Sequence, residues 1–433
     1  MSLTRRTLLA AATALPTLPA RAATLRTLTA GTRTLDVLGR PATVFSLLGG
    51  DNRPGLAFAP GERFWVRFRN HLTESTLLHW HGLTPPPADD GTPGLSGPVV
   101  FSGQSVINDF RLTRPATAWA HPLGLQQQRL LSAPIIVHGP TDAATREHIL
   151  LLADFAFTDA AELQARLGKS PGDGETIAYD AFLANDRTLD DPETVPVTPG
   201  ETLRLRIINA ACATGFTITT PGLAARLIAV DGNKVVPFTA ASFPLALGQR
   251  LDLLLRIPQA GSYPILATAA GRTDRAGIVL ATAGAPVIKR RRHAPQPAAQ
   301  LDPMFEKRLA ADHRLPAMPP DRRFAIRLEG QARPYAWRIG GDTLAVRAGD
   351  RVEIAVSNAT DRAQAIHLHG HIFEVVGFGR TRMAGALRDT VSVPSGQTIT
   401  LAFDAENPGT WLLHSTHLYR LLAGMATILR YGA

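Results

Sequence analysis

The chain is 433 residues long, with 45 Lys and Arg against 36 Asp and Glu and a single cysteine, Cys212. That length is too great for one ordinary sandwich and fits two to four domains, while one cysteine rules out an internal disulfide. The net charge of +9 is a moderate excess, and no helix-turn-helix or other nucleic-acid motif accompanies it. Nucleic acid is therefore not an expected partner, and a basic surface suits anionic polymers of the cell envelope.

Residues 1-22, MSLTRRTLLAAATALPTLPARA, carry twin arginines at Arg5 and Arg6, an apolar run from Leu8 and a small-x-small site at Ala20 to Ala22. This is the pattern of a twin-arginine export signal cleaved near Ala22, so the expected location is the periplasm. The apolar run is too short to span a bilayer, and no later stretch has membrane-spanning length. Loss of Arg5, Arg6 and Arg21 leaves a charge of about +6. The twin-arginine route moves folded proteins, often with a cofactor in place, and so favours a metal.

Over the whole chain, 37 Gly, 33 Pro and only 6% aromatics accompany short Val, Ile, Leu and Thr runs between turn residues, which reads as all-β. An eleven-residue pattern occurs three times, as PGERFWVRFRN (Pro60 to Asn70), PGETLRLRIIN (Pro199 to Asn209) and AGDRVEIAVSN (Ala348 to Asn358). The Gly-acid pair suits a tight turn, and the alternation after it suits a half-buried strand. Recurrence of the pattern predicts three homologous β-sandwich domains, at 23-140, 141-285 and 324-433. Residues 286-323, with Lys289 to Arg292 and repeated Pro, read as an extended connection.

Histidines cluster only in the first and third repeats. His79 and His81 share one strand face, as do His367 and His369, with His371 beyond Gly370. His121 ends PATAWAH, which has the same layout as the PGTWLLH ending at His414. Imidazole suits copper and zinc, and two His-x-His pairs with two single histidines at strand ends point to a metal more strongly than one pair does. Cys212 lies far from every cluster and reads as a small buried apolar residue. Asp90, in the Asp-Gly turn after His81, reads equally well as a turn residue or as an acid serving a site.

The last stretch, NPGTWLLHSTHLYRLLAGM from Asn407 to Met425, resembles the final copper motif of multicopper oxidases, the laccase and ascorbate oxidase family. The likeness extends over the mature chain, including the Val230-Asp231-Gly232 turn and Leu247 to Arg250 in the middle repeat. It implies three consecutive cupredoxin-like Greek-key sandwiches and copper as cofactor. By the same resemblance His79 and His367 match the type 2 copper pair, while His81 with His121 and His369 with His414 match two of three ligands at each type 3 copper. Third ligands are absent at Leu123 and Thr416. Asp90 matches the catalytic acid that orients water and supplies protons during reduction of O2, and His371 matches a non-ligand.

The type 1 positions depart from the family. Ser415 stands at the Cys, Gln364 and Arg420 at the two His, and only Met425 remains. A hydroxyl cannot replace a soft, redox-coupled thiolate. His417, turned inward by a local bulge, is a candidate to compensate for Thr416. Three readings stay open: a copper-binding but oxidase-incompetent relative; a copper-free scaffold with a partner in the cell envelope or in division; and an oxidoreductase that reduces O2 with unconventional electron input.

Overall fold

The three eleven-residue repeats form the same strand three times: Arg63–Asn70, Thr202–Asn209 and Arg351–Asn358. Each begins after a glycine of positive φ, at Gly61, Gly200 and Gly349. The acid that follows accepts a backbone N–H at the mouth of the turn: Glu62 from Ala59, Glu201 from Thr198 and Asp350 from Arg347. The closing asparagine is buried in every case. Asn70, Asn209 and Asn358 each donate Nδ2 to two carbonyls, reaching Val100, Leu245 and Val393 respectively across the fold. The repeat is therefore a strand with a carboxylate-closed entry and an amide-locked exit. The locked amides also satisfy backbone groups that burial would otherwise leave unpaired.

The computed structural model describes residues 24–140, 142, 145–169, 177–287 and 290–432. The export signal expected over 1-22 and Lys289 of the basic cluster lie outside the described residues.

Around each repeated strand stands a two-sheet sandwich. In the first unit a four-stranded sheet, ordered Arg40–Gly49, Arg26–Val37, Arg63–Asn70 and Ser105–Arg111, faces a second one ordered Leu56–Phe58, Ala133–Val137, Ala116–His121 and His79–His81. The middle unit pairs a six-stranded with a five-stranded sheet, and the last a seven-stranded with a five-stranded one. In all three the repeated strand runs parallel to the unit's opening long strand and antiparallel to a later one. Three apolar cores, around Phe64 and Trp80, Phe216 and Leu253, and Phe373 and Trp411, fill these sandwiches. The architecture is all-β, as expected. The few helices include Ala160–Arg166, capped by Asp159, and Leu418–Leu422, and no helix among the described residues is long and apolar enough to cross a membrane.

The connection read as extended is strapped down. Phe305 enters the middle core, Arg275 binds the carbonyl of Arg292, and Ala311 bonds to Gly385 of the last unit. Glu306 of this connection and Asp231 of the middle unit both accept from Arg388 of the last.

Candidate metal centre

Strand register brings the histidines together in two stages. Within the first unit His79 lies opposite His121, and within the last His367 lies opposite His414, with His369 one residue beyond its strand. The rings of the two units then meet across their interface. The rings of His79 and His369 stack at 3.7 Å, and so do those of His81 and His367. All six rings are buried.

Ring nitrogens meet in three pairs. His79 Nε2 lies 3.2 Å from His367 Nε2, His81 Nδ1 lies 3.3 Å from His121 Nε2, and His369 Nε2 lies 3.0 Å from His414 Nε2. The family resemblance groups the same residues two by two. The opposite nitrogen of each ring faces an acceptor: the carbonyls of Asp90, Asp389, Pro122 and Ser415 for His79, His367, His121 and His414. His369 Nδ1 faces Asp90 Oδ2 at 2.9 Å, and His81 Nε2 faces Thr390 Oγ1 at 2.8 Å. An outer acceptor draws the ring hydrogen to the outer nitrogen, so the inner nitrogens present lone pairs to one another. Burial, first of all, pushes His81, His121, His367 and His414 down from the ordinary imidazole range and His369 to about 3, which keeps these rings neutral. Paired lone pairs on neutral buried imidazoles are a donor set that fits copper.

Asp90 sits where the Asp-Gly turn presses it into the cluster. Gly91 has positive φ, and a Cβ there would stand 1.8 Å from the Leu78 carbonyl oxygen. Burial pushes the Asp90 carboxyl up, but the facing His369 and His79 outweigh this and hold it well below the usual carboxylate range. Its Oδ2 also accepts from Thr92 at 2.5 Å, while Oδ1 lies 3.2 Å from His79 Nδ1 without hydrogen-bond geometry. His79, Asp90 and His369, like His79, His81 and His367, place their donor atoms within 4.8 Å of one another.

Some functional neighbours were not singled out from the sequence. Asp389 lies 3.3 Å from His81 Nε2 and is clamped by Arg250 through two contacts of 2.7 and 2.5 Å. Arg250 also donates to the carbonyl of Thr117. Trp119 stacks on His121 at 3.9 Å. A carboxylate just ahead of a strand in the His-bearing sheet is the only hint Asp389 offers, and its arginine is 139 residues away.

At the remaining positions the contacts are of another kind. Arg420 Nη1 donates to Gln364 Oε1 at 2.9 Å, and its guanidinium lies 4.3 Å over the Trp337 ring. Ser415 Oγ accepts the backbone N–H of His417, and Met425 is packed in the apolar core of the last unit. Thr416 Oγ1 donates to the Leu247 carbonyl at 3.0 Å. His417 precedes the helix Leu418–Leu422, with its ring 6.2 Å from that of Tyr419, and its Nδ1 is buried without a hydrogen bond. No contact joins it to the six-histidine cluster among the described residues, so the inward turn considered for it is not seen. His371 donates to the His369 carbonyl and accepts from Tyr431, outside the cluster.

Three cupredoxin sandwiches with imidazoles gathered between the first and last define a copper protein class. Multicopper oxidase domain models match residues 33–142, 146–289 and 313–432, and the chain belongs to the multicopper oxidase family, whose cofactor is copper. It is 30% identical over 448 residues to Multicopper oxidase MmcO of Mycobacterium tuberculosis, across 91% of this chain and 84% of that one. To Copper resistance protein A of Pseudomonas syringae pv. tomato it is 27% identical over 319 residues, covering 63% of this chain and 52% of that protein. The crystal structure of Fet3p, a multicopper oxidase that functions in iron import, aligns with a TM-score of 0.81 at 17% identity, over 94% of this chain and 90% of that one. At that identity the likeness is one of fold.

Proposed function

We propose that this is a periplasmic, twin-arginine-exported protein that binds copper through His79, His81, His121, His367, His369 and His414, and that it forms no type 1 copper and performs no ordinary laccase oxidation. The observation that carries the reading is the set of three inner nitrogen pairs at 3.0 to 3.3 Å, each locked by an outer hydrogen bond. The hydrogen-bonded Arg420–Gln364 pair, and Ser415 in place of a thiolate, support the second half. The name of the relative Copper resistance protein A supports a role in handling copper. With the usual electron entry absent, Asp90 orients His369 and does not act as the catalytic acid of O2 reduction.

The test is copper content. Replacing both His79 and His367 with Ala is expected to lower copper per chain and to remove the rise in melting temperature that copper gives, since a ligand bound only to the folded state stabilises it. Unchanged copper in that double variant would falsify the assignment. A wild-type chain without copper would favour the scaffold reading, and O2 consumption with phenolic substrates at laccase rates would favour the oxidase reading.

A further inference from the structure

We infer that copper held on the His81–His121 and His369–His414 pairs is cuprous: each pair takes Cu(I) on two imidazoles and does not retain Cu(II). This rests on the copper-binding reading above and adds the oxidation state of the bound ion. Each pair offers two neutral nitrogens, at 3.3 and 3.0 Å separation. A third donor is not supplied at either position. The single Thr416 hydroxyl hydrogen is shared between the carbonyls of Leu247 and Ala365, and a neutral alkyl hydroxyl is no substitute for an imidazole at copper. Its methyl packs on Gly248, where an added Cβ would lie 3.0 Å from both Thr416 Cγ2 and His81 Cε1. Leu123 is half-buried hydrocarbon.

The carboxylates do not fill the gap. Asp389 is paired with Arg250, and Asp90 faces the outer Nδ1 atoms of His369 and His79, not the inner Nε2 atoms that pair. Cu(II) favours tetragonal nitrogen and oxygen sets, whereas d10 Cu(I) has no such preference and is satisfied by few, softer donors. Neutral donors also leave the ion's whole charge to be desolvated. Because the Born cost scales with the square of the charge, a buried divalent ion costs about four times a monovalent one.

The mature protein is loaded in parallel with Cu(I) without oxygen and with Cu(II) in air, freed of loose metal, and analysed for copper content and by copper K-edge X-ray absorption. The expected result is a greater copper content from Cu(I) than from Cu(II), with a cuprous edge that persists in air. The His121→Ala and His414→Ala variants should each lose one cuprous ion, and Leu123→His with Thr416→His should raise Cu(II) retention. A wild-type sample that retains Cu(II) as fully as Cu(I), with a cupric edge, overturns the inference and leaves copper binding intact. Retention of neither ion overturns both.

Discussion

Arg420 is held from two sides. Its guanidinium is tied to Gln364 and stacked on Trp337, and an arginine cannot shed its proton to make room for a cation. Ser415→Cys alone is therefore expected to give no blue copper, because the restored thiolate meets one thioether and a fixed positive charge. Gln364→His, Ser415→Cys and Arg420→His together supply two imidazoles, a thiolate and the axial Met425 that such a centre needs. Charge-transfer absorption and the copper hyperfine pattern distinguish the two variants. A blue single variant would show that another residue, His417 first of all, serves as the ligand.

Among the elements, the repeated strand of the middle unit shows how a periodic stretch acquires work beyond packing. Arg204 and Arg206 on Thr202–Asn209 reach Asp142, at 2.7 and 2.9 Å, and also Asp252. Burial pushes the Asp142 carboxyl up, but the Gly139 N–H and the two arginines outweigh it, and the net shift is downward. The folded pKa thus lies below the unfolded value of about 3.9. The stabilisation is complete above that value and is lost as pH falls through the folded pKa. Asp142→Asn is expected to cost about 1 kcal/mol at neutral pH, after allowance for solvent screening. The difference from wild type should shrink in acid, as read by urea unfolding at pH 7 and pH 3. A constant difference would show that this carboxylate does not titrate with unfolding.

Across the whole molecule, one buried ionic group joins all three units behind the histidines. Arg250 of the middle unit holds Asp389 of the last and the Thr117 carbonyl of the first, and Arg388 returns to Asp231 and Glu306. Removing one partner of a buried pair strands the other charge, which typically costs about 3–5 kcal/mol. Arg250→Met is therefore expected to lower unfolding free energy by about that amount, and in the chains that stay folded to tighten copper binding, since Asp389 then faces His81 and His367 with its negative charge unpaired. Equilibrium denaturation and copper titration measure both effects. A loss below about 1 kcal/mol would mean that the units dock independently of this group.

The sequence by itself determined the three-fold repeat, the all-β class and the six histidines, because each of these is a local pattern. Alternation makes a strand, a Gly-acid pair makes its entry, and His-x-His puts two rings on one face. The asparagine that closes each repeat was visible as a recurrence, but its task of bonding carbonyls in a distant segment was not. Only the tertiary structure decided which nitrogens face each other, since that depends on how two sheets nearly 290 residues apart in sequence meet, as at His79 and His367. It also decided that Asp389 and Arg250 back the cluster and that His417 stays outside it. Charge pairing and ring orientation are set by contacts between units, and no periodicity along one strand encodes them.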